Sequence, residues 1–446
     1  RITTMRFLLI AMAVVAAVMA YLLPADPKIG AGLALFVLIG LLWLSEAIPL
    51  TFTALLVPVL GVGLGLADLD RALAGFAHPV VALFLGGFAL AAALGEHGID
   101  RWLAQRLLTL AGGRALPAAF LLAVTTALLS MWISNTATTA MLLPIALGLS
   151  APLADSHPRY RIFLLLALAW SANIGGMATL VGSPPNAIAA AALGWSFNDW
   201  LAVGIPAFLL LFPLALLVLF YTTRPEANLP RVDVKTILPF PTTPGAIMTL
   251  AIFLLTVGLW ILGAPLGDRL GIETSFDSWV ACMAIVLLGI SRCVSWQHIE
   301  AHANWGVLLL FGGGITLSML LQSSGTSAWL ADGISQVLPG GQPWLVYLVI
   351  ASFVIFLTEL ASNTASAALL VPLLMPVASS VGADPVTVAL LVAFAASCAF
   401  MLPVATPPNA MVYGSGHVPQ RTMIRAGIVL NLIAAGALGG LLPLLQ

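Results

Sequence analysis

The sequence predicts an all-α polytopic membrane protein of about eleven transmembrane helices plus two re-entrant hairpins, set out as an inverted repeat. Three observations predict it. Of the 446 residues, 61% are hydrophobic and 7% charged, against roughly 25% charged in a soluble domain. Apolar stretches of about 20 residues, the length that spans a bilayer, recur along the whole chain. Polar, helix-breaking residues interrupt them twice in the same order. Ser134-Asn135-Thr136 precedes Ser183-Pro184-Pro185-Asn186, and Ser362-Asn363-Thr364 precedes Thr406-Pro407-Pro408-Asn409.

Spans are expected at 5–23, 29–46, 50–66, 78–95, 161–194, 201–221, 244–262, 277–291, 304–322, 386–414 and 422–444. The first has Arg1 and Arg6 at its start and no clear small-residue cleavage site, so it reads as a spanning helix rather than a signal peptide. Two apolar stretches remain, 115–149 and 343–378, each with a Ser-Asn-Thr near its middle. Half of such a stretch rises about 25 Å as helix, short of the ~30 Å hydrocarbon core. Each therefore reads as a helix–turn–helix hairpin that enters and leaves on one side.

Charge supports this count. With the amino terminus inside, thirteen of the sixteen Lys and Arg fall in the cytoplasm, among them Arg114, Arg159, Arg224, Lys235 and Arg292. Lys28, Arg71 and Arg269 fall outside, as the positive-inside rule requires. Counting each hairpin as a full crossing would move Arg159, Arg161, Arg224, Arg231, Lys235 and Arg292 outside. An odd number of spans separates the hairpins, so they enter from opposite faces. The net charge of −1 gives no field for nucleic acid, and Cys282, Cys293 and Cys398 show no metal-ligand spacing.

The repeat has a nearly constant offset. Phe84-Leu85-Gly86-Gly87 falls on Leu310-Phe311-Gly312-Gly313 at 226, Ser134 on Ser362 and Pro144 on Pro372 at 228, and Pro184 on Pro407 at 223. Inverted repeats with broken helices point to a secondary transporter with its site near the bilayer midplane. Kinked structural helices could account for one such break, but not for both pairs in order.

The motifs have chemistry to match. The Ser or Asn of each tip can accept from a first-turn N–H, leaving other amides and the helix dipole free for an oxyanion. Asn135 and Asn363 offer amides, Thr136 and Thr364 hydroxyls. Pro184 and Pro185 are expected to release the carbonyls of Leu180 and Val181, and Pro407 and Pro408 those of Pro403 and Val404, as ligands for an alkali cation. Ser183 and Thr406 then cap a second pair of half-helices with proline in the first turn. Neither hairpin contains Lys or Arg. A bound anion would need helix dipoles, worth at most ~2 kcal/mol each, plus co-bound cations such as sodium.

Glu359 is the one charge inside a hairpin. It reads as a proton-coupling group or, preferably, as a buried acid bonded to its neighbours. Glu46 reads as a scaffold residue. The segment 96–114 looks amphipathic, either an interfacial linker or a loop helix.

These residues resemble a known family. The run Trp-Leu-Ser-Glu-Ala-Ile-Pro at 43–49, both Ser-Asn-Thr tips, Gly182-Ser183-Pro184-Pro185-Asn186 and Ala405-Thr406-Pro407-Pro408-Asn409 are similar to the divalent-anion/sodium symporter (DASS) family. The likeness is to its INDY-type bacterial dicarboxylate transporters and covers nearly the whole chain. It implies a homodimer in the bacterial inner membrane, each protomer an elevator. Scaffold helices would comprise 1–114 and 244–342, the transport domain 115–221 and 343–446, with a cytoplasmic linker at 222–243. One sodium site would use Ser130, Ser134, Asn135 and the Gly182 carbonyl; the other Thr358, Ala361, Asn363 and the Ala405 carbonyl. Substrate carboxylates would meet Asn135, Thr136, Ser183, Ser362, Asn363, Thr364 and Thr406, with Pro184 and Pro407 lining the site. The implied activity is sodium-coupled import of C4 dicarboxylates such as succinate, malate or fumarate, with no cofactor beyond the coupling ions. Relatives that exchange dicarboxylates without sodium, or carry citrate or sulfate, leave mode and substrate open, as does proton coupling.

Rivals from other classes fare worse. A cation/proton antiporter needs carboxylates at the crossing, and Glu359 alone is there. An intramembrane enzyme needs a metal motif or a dyad; the sequence has no His-Glu-x-x-His, and Ser415 and His417 lie near a span end.

Overall fold

The computed structural model describes residues 2–153, 155–232, 239–272, 274–337 and 342–444. Arg1 and Lys235, both expected in the cytoplasm, lie outside the described residues, as does part of the expected linker. Helix α1 (Ile2–Tyr21) precedes two runs of ten α-helices. The first is α2 (Pro27–Ser45), α3 (Leu50–Gly63), α4 (Leu69–Leu73), α5 (Pro79–Glu96), α6 (Ile99–Leu108), α7 (Ala115–Ser130), α8 (Asn135–Ser150), α9 (Pro158–Gly175), α10 (Pro184–Leu193) and α11 (Phe197–Thr223). The second is α12 (Pro244–Leu270), α13 (Phe276–Ile290), α14 (Trp296–His302), α15 (Trp305–Ser323), α16 (Thr326–Ser335), α17 (Pro343–Thr358), α18 (Asn363–Ser380), α19 (Pro385–Ala396), α20 (Pro407–Gly414) and α21 (Gln420–Leu441). Each helix of the first run has a counterpart at the same place in the second, so the duplication extends well beyond the landmarks that reveal it in the sequence.

Nine candidate membrane spans among the described residues are long and apolar enough to cross a bilayer, and the chain is an integral membrane protein. The stretches at 161–194 and 386–414 do not form continuous helices. Each is split, by residues 176–183 and 397–406. The expected spans at 50–66 and 277–291 are helices of 14 and 15 residues, shorter than the ~20 residues of a full crossing. Helix α12 runs past the expected end at 262 to Leu270, carrying Pro265 inside it, which membrane helices tolerate when neighbours re-satisfy the backbone. It stops at Gly271, whose φ of 72° suits glycine.

Burial explains the arrangement. An ordinary helix buries one stripe; a helix apolar all round belongs in a core. In α9 every residue from Phe163 to Gly175 is buried, and in α19 every residue from Thr387 to Ala396. These two form the centre. Helix α9 packs on α7 and α8, and α19 on α17 and α18. The short helices then cross over: α20 packs on α8 and α9, and α10 on α18 and α19. Each half thus lends its second half-helix to the hairpin of the other, which brings four helix starts together. The segment around 96–114 holds α6, with Ile99, Ala104 and Leu108 buried and Arg101 and Arg106 exposed. Cys293 and Cys398 are buried as small apolar residues would be, while Cys282 is exposed.

Candidate functional site

The turns at both hairpin tips are set by serine. Ser134 Oγ accepts from Ala137 N at 3.2 Å and Ser362 Oγ from Ala365 N at 3.5 Å. Each serine is therefore an N-cap that satisfies one first-turn donor and leaves earlier ones free. Beneath each tip the asparagine is pinned in the same way. Ser130 Oγ lies 2.6 Å from Asn135 Oδ1 and 2.7 Å from the Ala172 carbonyl. Thr358 Oγ1 lies 2.7 Å from Asn363 Oδ1 and 3.0 Å from the Ala396 carbonyl. Ser130 and Thr358 are fully buried, so the same oxygen cluster is built twice.

The breaks are organised by residues that the sequence reading assigned no role. Asn186 Nδ2 donates to the carbonyls of Gly176 at 2.8 Å and Thr179 at 2.7 Å. Asn409 Nδ2 donates to those of Ala399 at 2.9 Å and Leu402 at 3.1 Å. Their signal was present, an Asn directly after Pro-Pro in both halves. One expectation needs correction. The prolines do not free the carbonyls of Leu180, Val181, Pro403 and Val404 by interrupting a helix, because the helix has already ended at Gly175 or Ala396. Instead Pro184 and Pro407 begin α10 and α20, where a missing N–H costs nothing.

Two glycines let the backbone close on the first oxygen cluster. A Cβ on Gly176 would lie 2.5 Å from Asn135 Oδ1 and 2.9 Å from the Gly182 carbonyl. A Cβ on Gly182 would lie 2.6 Å from the Gly176 carbonyl. Gly176→Ala should therefore displace Asn135 and reduce uptake by about tenfold or more, as a loss of roughly 1.4 kcal/mol of site geometry implies. Transport assays on a variant that purifies as a folded protein check this.

Glu359 is 1% exposed and fully engaged. Its Oε1 accepts from Phe400 N at 2.7 Å, Met401 N at 2.8 Å and Asn431 Nδ2 at 2.6 Å, and its Oε2 from Leu402 N at 2.9 Å. The carboxylate holds the non-helical stretch before α20, in keeping with a buried acid bonded to its neighbours.

The two tips and the two half-helix starts open onto one cavity of about 790 Å³. Asn135, Thr136, Ser183, Pro184, Ser362, Asn363, Thr364, Thr406 and Pro407 all line it, as do Ser134, Gly182, Ala361 and Ala405. Ser130 and Thr358 are not among the lining residues; they sit beneath the asparagines. The far wall comes from the end of α2 with Ser45 and Glu46, from Phe84 and Phe88 of α5, and from Asn304 and Val307 at the start of α15. Glu46, read as a scaffold residue, lies on that wall in a left-handed conformation. No Lys or Arg lines the cavity among the described residues. The four starts of α8, α10, α18 and α20 reach it through their caps. Such a site offers helix-terminal N–H groups and hydroxyls to an anion, and neutral oxygens to a hard cation. No three His, Cys, Asp or Glu side chains converge as a metal site among the described residues.

The chain is similar to known transporters. A family model described as "Citrate transporter" (CitMHS) matches residues 40–393. An uncharacterized transporter of Haemophilus influenzae is 46% identical over 420 residues, covering 92% of this chain and 90% of the relative. The sodium-dependent dicarboxylate transporter SdcS of Staphylococcus saprophyticus is 32% identical, covering 90% of this chain and 83% of the relative. In fold, the chain matches the YdaH transporter of Alcanivorax borkumensis with a TM-score of 0.56 at 16% identity, over 84% of this chain and 86% of that one. The chain is a transporter, not an enzyme, and belongs to the citrate-transporter family of the divalent-anion/sodium symporters.

Proposed function

We propose that the protein imports C4 dicarboxylates such as succinate, malate and fumarate into the cytoplasm, coupled to sodium. The observation that carries this is the doubled oxygen cluster at one cavity that has four helix starts and, among the described residues, no Lys or Arg in its lining. Dipoles alone offset too little of a dianion's charge, at most ~2 kcal/mol each against a far larger desolvation cost. Two cations beside the anion supply the rest. Asn135 and Asn363 lie where cation and carboxylate meet; Thr136, Ser183, Ser362, Thr364 and Thr406 complete the anion's shell. Ser130, Ser134 and the Gly182 carbonyl, and Thr358, Ala361 and the Ala405 carbonyl, complete the cation sites. The similarity to the staphylococcal sodium-dependent dicarboxylate transporter supports both the substrate class and the ion.

The protein acts as a homodimer in the bacterial inner membrane, amino terminus inside. Residues 115–221 and 343–446 carry the substrate past a fixed scaffold of 1–114 and 244–342. Citrate is the second reading, favoured by the family model's description. Labelled succinate uptake into proteoliposomes, competed by malate, fumarate, citrate and sulfate, separates the two. Competition by the C4 acids alone upholds the first; competition by citrate alone replaces it. In a background with Cys282, Cys293 and Cys398 replaced, single cysteines at Ala151 and Ser380, exposed just beyond the two hairpins, should be labelled from opposite membrane faces by an impermeant reagent. Labelling of both from one face would overturn the re-entrant, inverted arrangement.

A further inference from the structure

The repeat is broken at one point inside the site. Asn173, near the end of α9, is 1% exposed and lines the cavity. Its Nδ2 donates to Thr406 Oγ1 at 3.1 Å and Asn409 Oδ1 at 3.4 Å, both in the other half. The offset that places Ala172 on Ala396 places Asn173 on Ser397. Ser397 turns back on its own helix and donates to the Ala393 carbonyl at 3.3 Å. Ser183, the counterpart of Thr406, therefore receives no equivalent bond.

This difference sets the direction of a hydroxyl. Asn409 commits its Nδ2 to the carbonyls of Ala399 and Leu402, so its Oδ1 faces Asn173 and requires a donor there. That fixes the Asn173 amide with Nδ2 toward the pair. Thr406 Oγ1 also accepts from Asn409 N at 3.3 Å. A hydroxyl has two acceptor lone pairs and one hydrogen. Both lone pairs of Thr406 are engaged, and its residue lines the cavity, so its hydrogen is left for a ligand that accepts. On the other side Ser183 makes no cap bond with its side chain. There, Asn186 Oδ1, the counterpart of Asn409 Oδ1, is buried without a donor.

We propose that Asn173 is a positioning residue that commits the Thr406 hydroxyl to donate to a substrate carboxylate. One end of the anion then meets a preset donor, and the end at Ser183 meets a rotatable one. A preset donor loses no rotor freedom on binding, so affinity concentrates at the Thr406 end and variation is tolerated at the other. The inference rests on the anion-carrier reading above.

A double-mutant cycle tests it. The dissociation constant of succinate at saturating sodium is measured by calorimetry on purified wild type, Asn173→Ala, Thr406→Val and the double variant, with Asn173→Ser in place of Asn173→Ala if the latter does not fold. Loss of one hydrogen bond to a charged partner predicts an increase of about tenfold in each single variant. The double variant should be no weaker than the weaker single one, and sodium binding without succinate should change less than about twofold. Losses that multiply to about a hundredfold, or a wild-type constant for the Asn173 variant, overturn the proposal. Wild type that binds no anion of the panel overturns the carrier reading itself, and this inference with it.

Discussion

Asn135→Ala and Asn363→Ala should each lower uptake by about a hundredfold or more while the protein stays folded. Each amide oxygen sits 2.6–2.7 Å from a buried hydroxyl that also touches a carbonyl of the central helix. Truncation leaves that hydroxyl its carbonyl partner, so the fold keeps its bonding. In the proposed function, what is lost is an oxygen that would face the cation and a donor that would face the carboxylate. Contacts to charged partners are worth roughly 1.5–3 kcal/mol each, and each ~1.4 kcal/mol is tenfold. The two halves contribute to one cavity, so an intact Asn363 does not substitute for Asn135. Uptake near wild type in both variants would remove the site.

The second large effect falls on stability. Glu359→Ala should destabilise the protein by about 3 kcal/mol or more, because three backbone N–H groups and an amide lose their acceptor at roughly 1–3 kcal/mol each. That is a large share of a typical total of about 5–15 kcal/mol. Thermal denaturation in detergent measures it. Glu359→Gln should also be destabilised, since its amide turns a donor toward donors, and its uptake should keep the wild-type pH profile. A stable Gln variant with a flattened profile would instead mark Glu359 as a proton-coupling group.

The helix–turn–helix tips and the breaks were legible in the sequence because the membrane forbids unpaid polar backbone, so a Ser-Asn-Thr or Pro-Pro-Asn in an apolar stretch has few explanations. Tips at 134–136 and 362–364 and half-helices starting at Pro184 and Pro407 follow from that alone. The bonds that join distant parts were not legible. Glu359 reaches Phe400, Met401 and Leu402 some forty residues on, and Asn173 reaches Thr406 across the repeat. Nothing local distinguishes Asn173 from any polar residue near a helix end; its partner is set by how α20 packs on α9. The short α3 was also hidden, since apolar composition continues through residues 64–66, past its last helical residue.

Sodium is the proposed source of the positive charge that the cavity lining lacks among the described residues. Purified protein in sealed proteoliposomes is given labelled succinate with sodium outside, then with choline replacing sodium at fixed pH. Sodium coupling requires accumulation against the succinate gradient with sodium and none with choline. Equal uptake in both would contradict it.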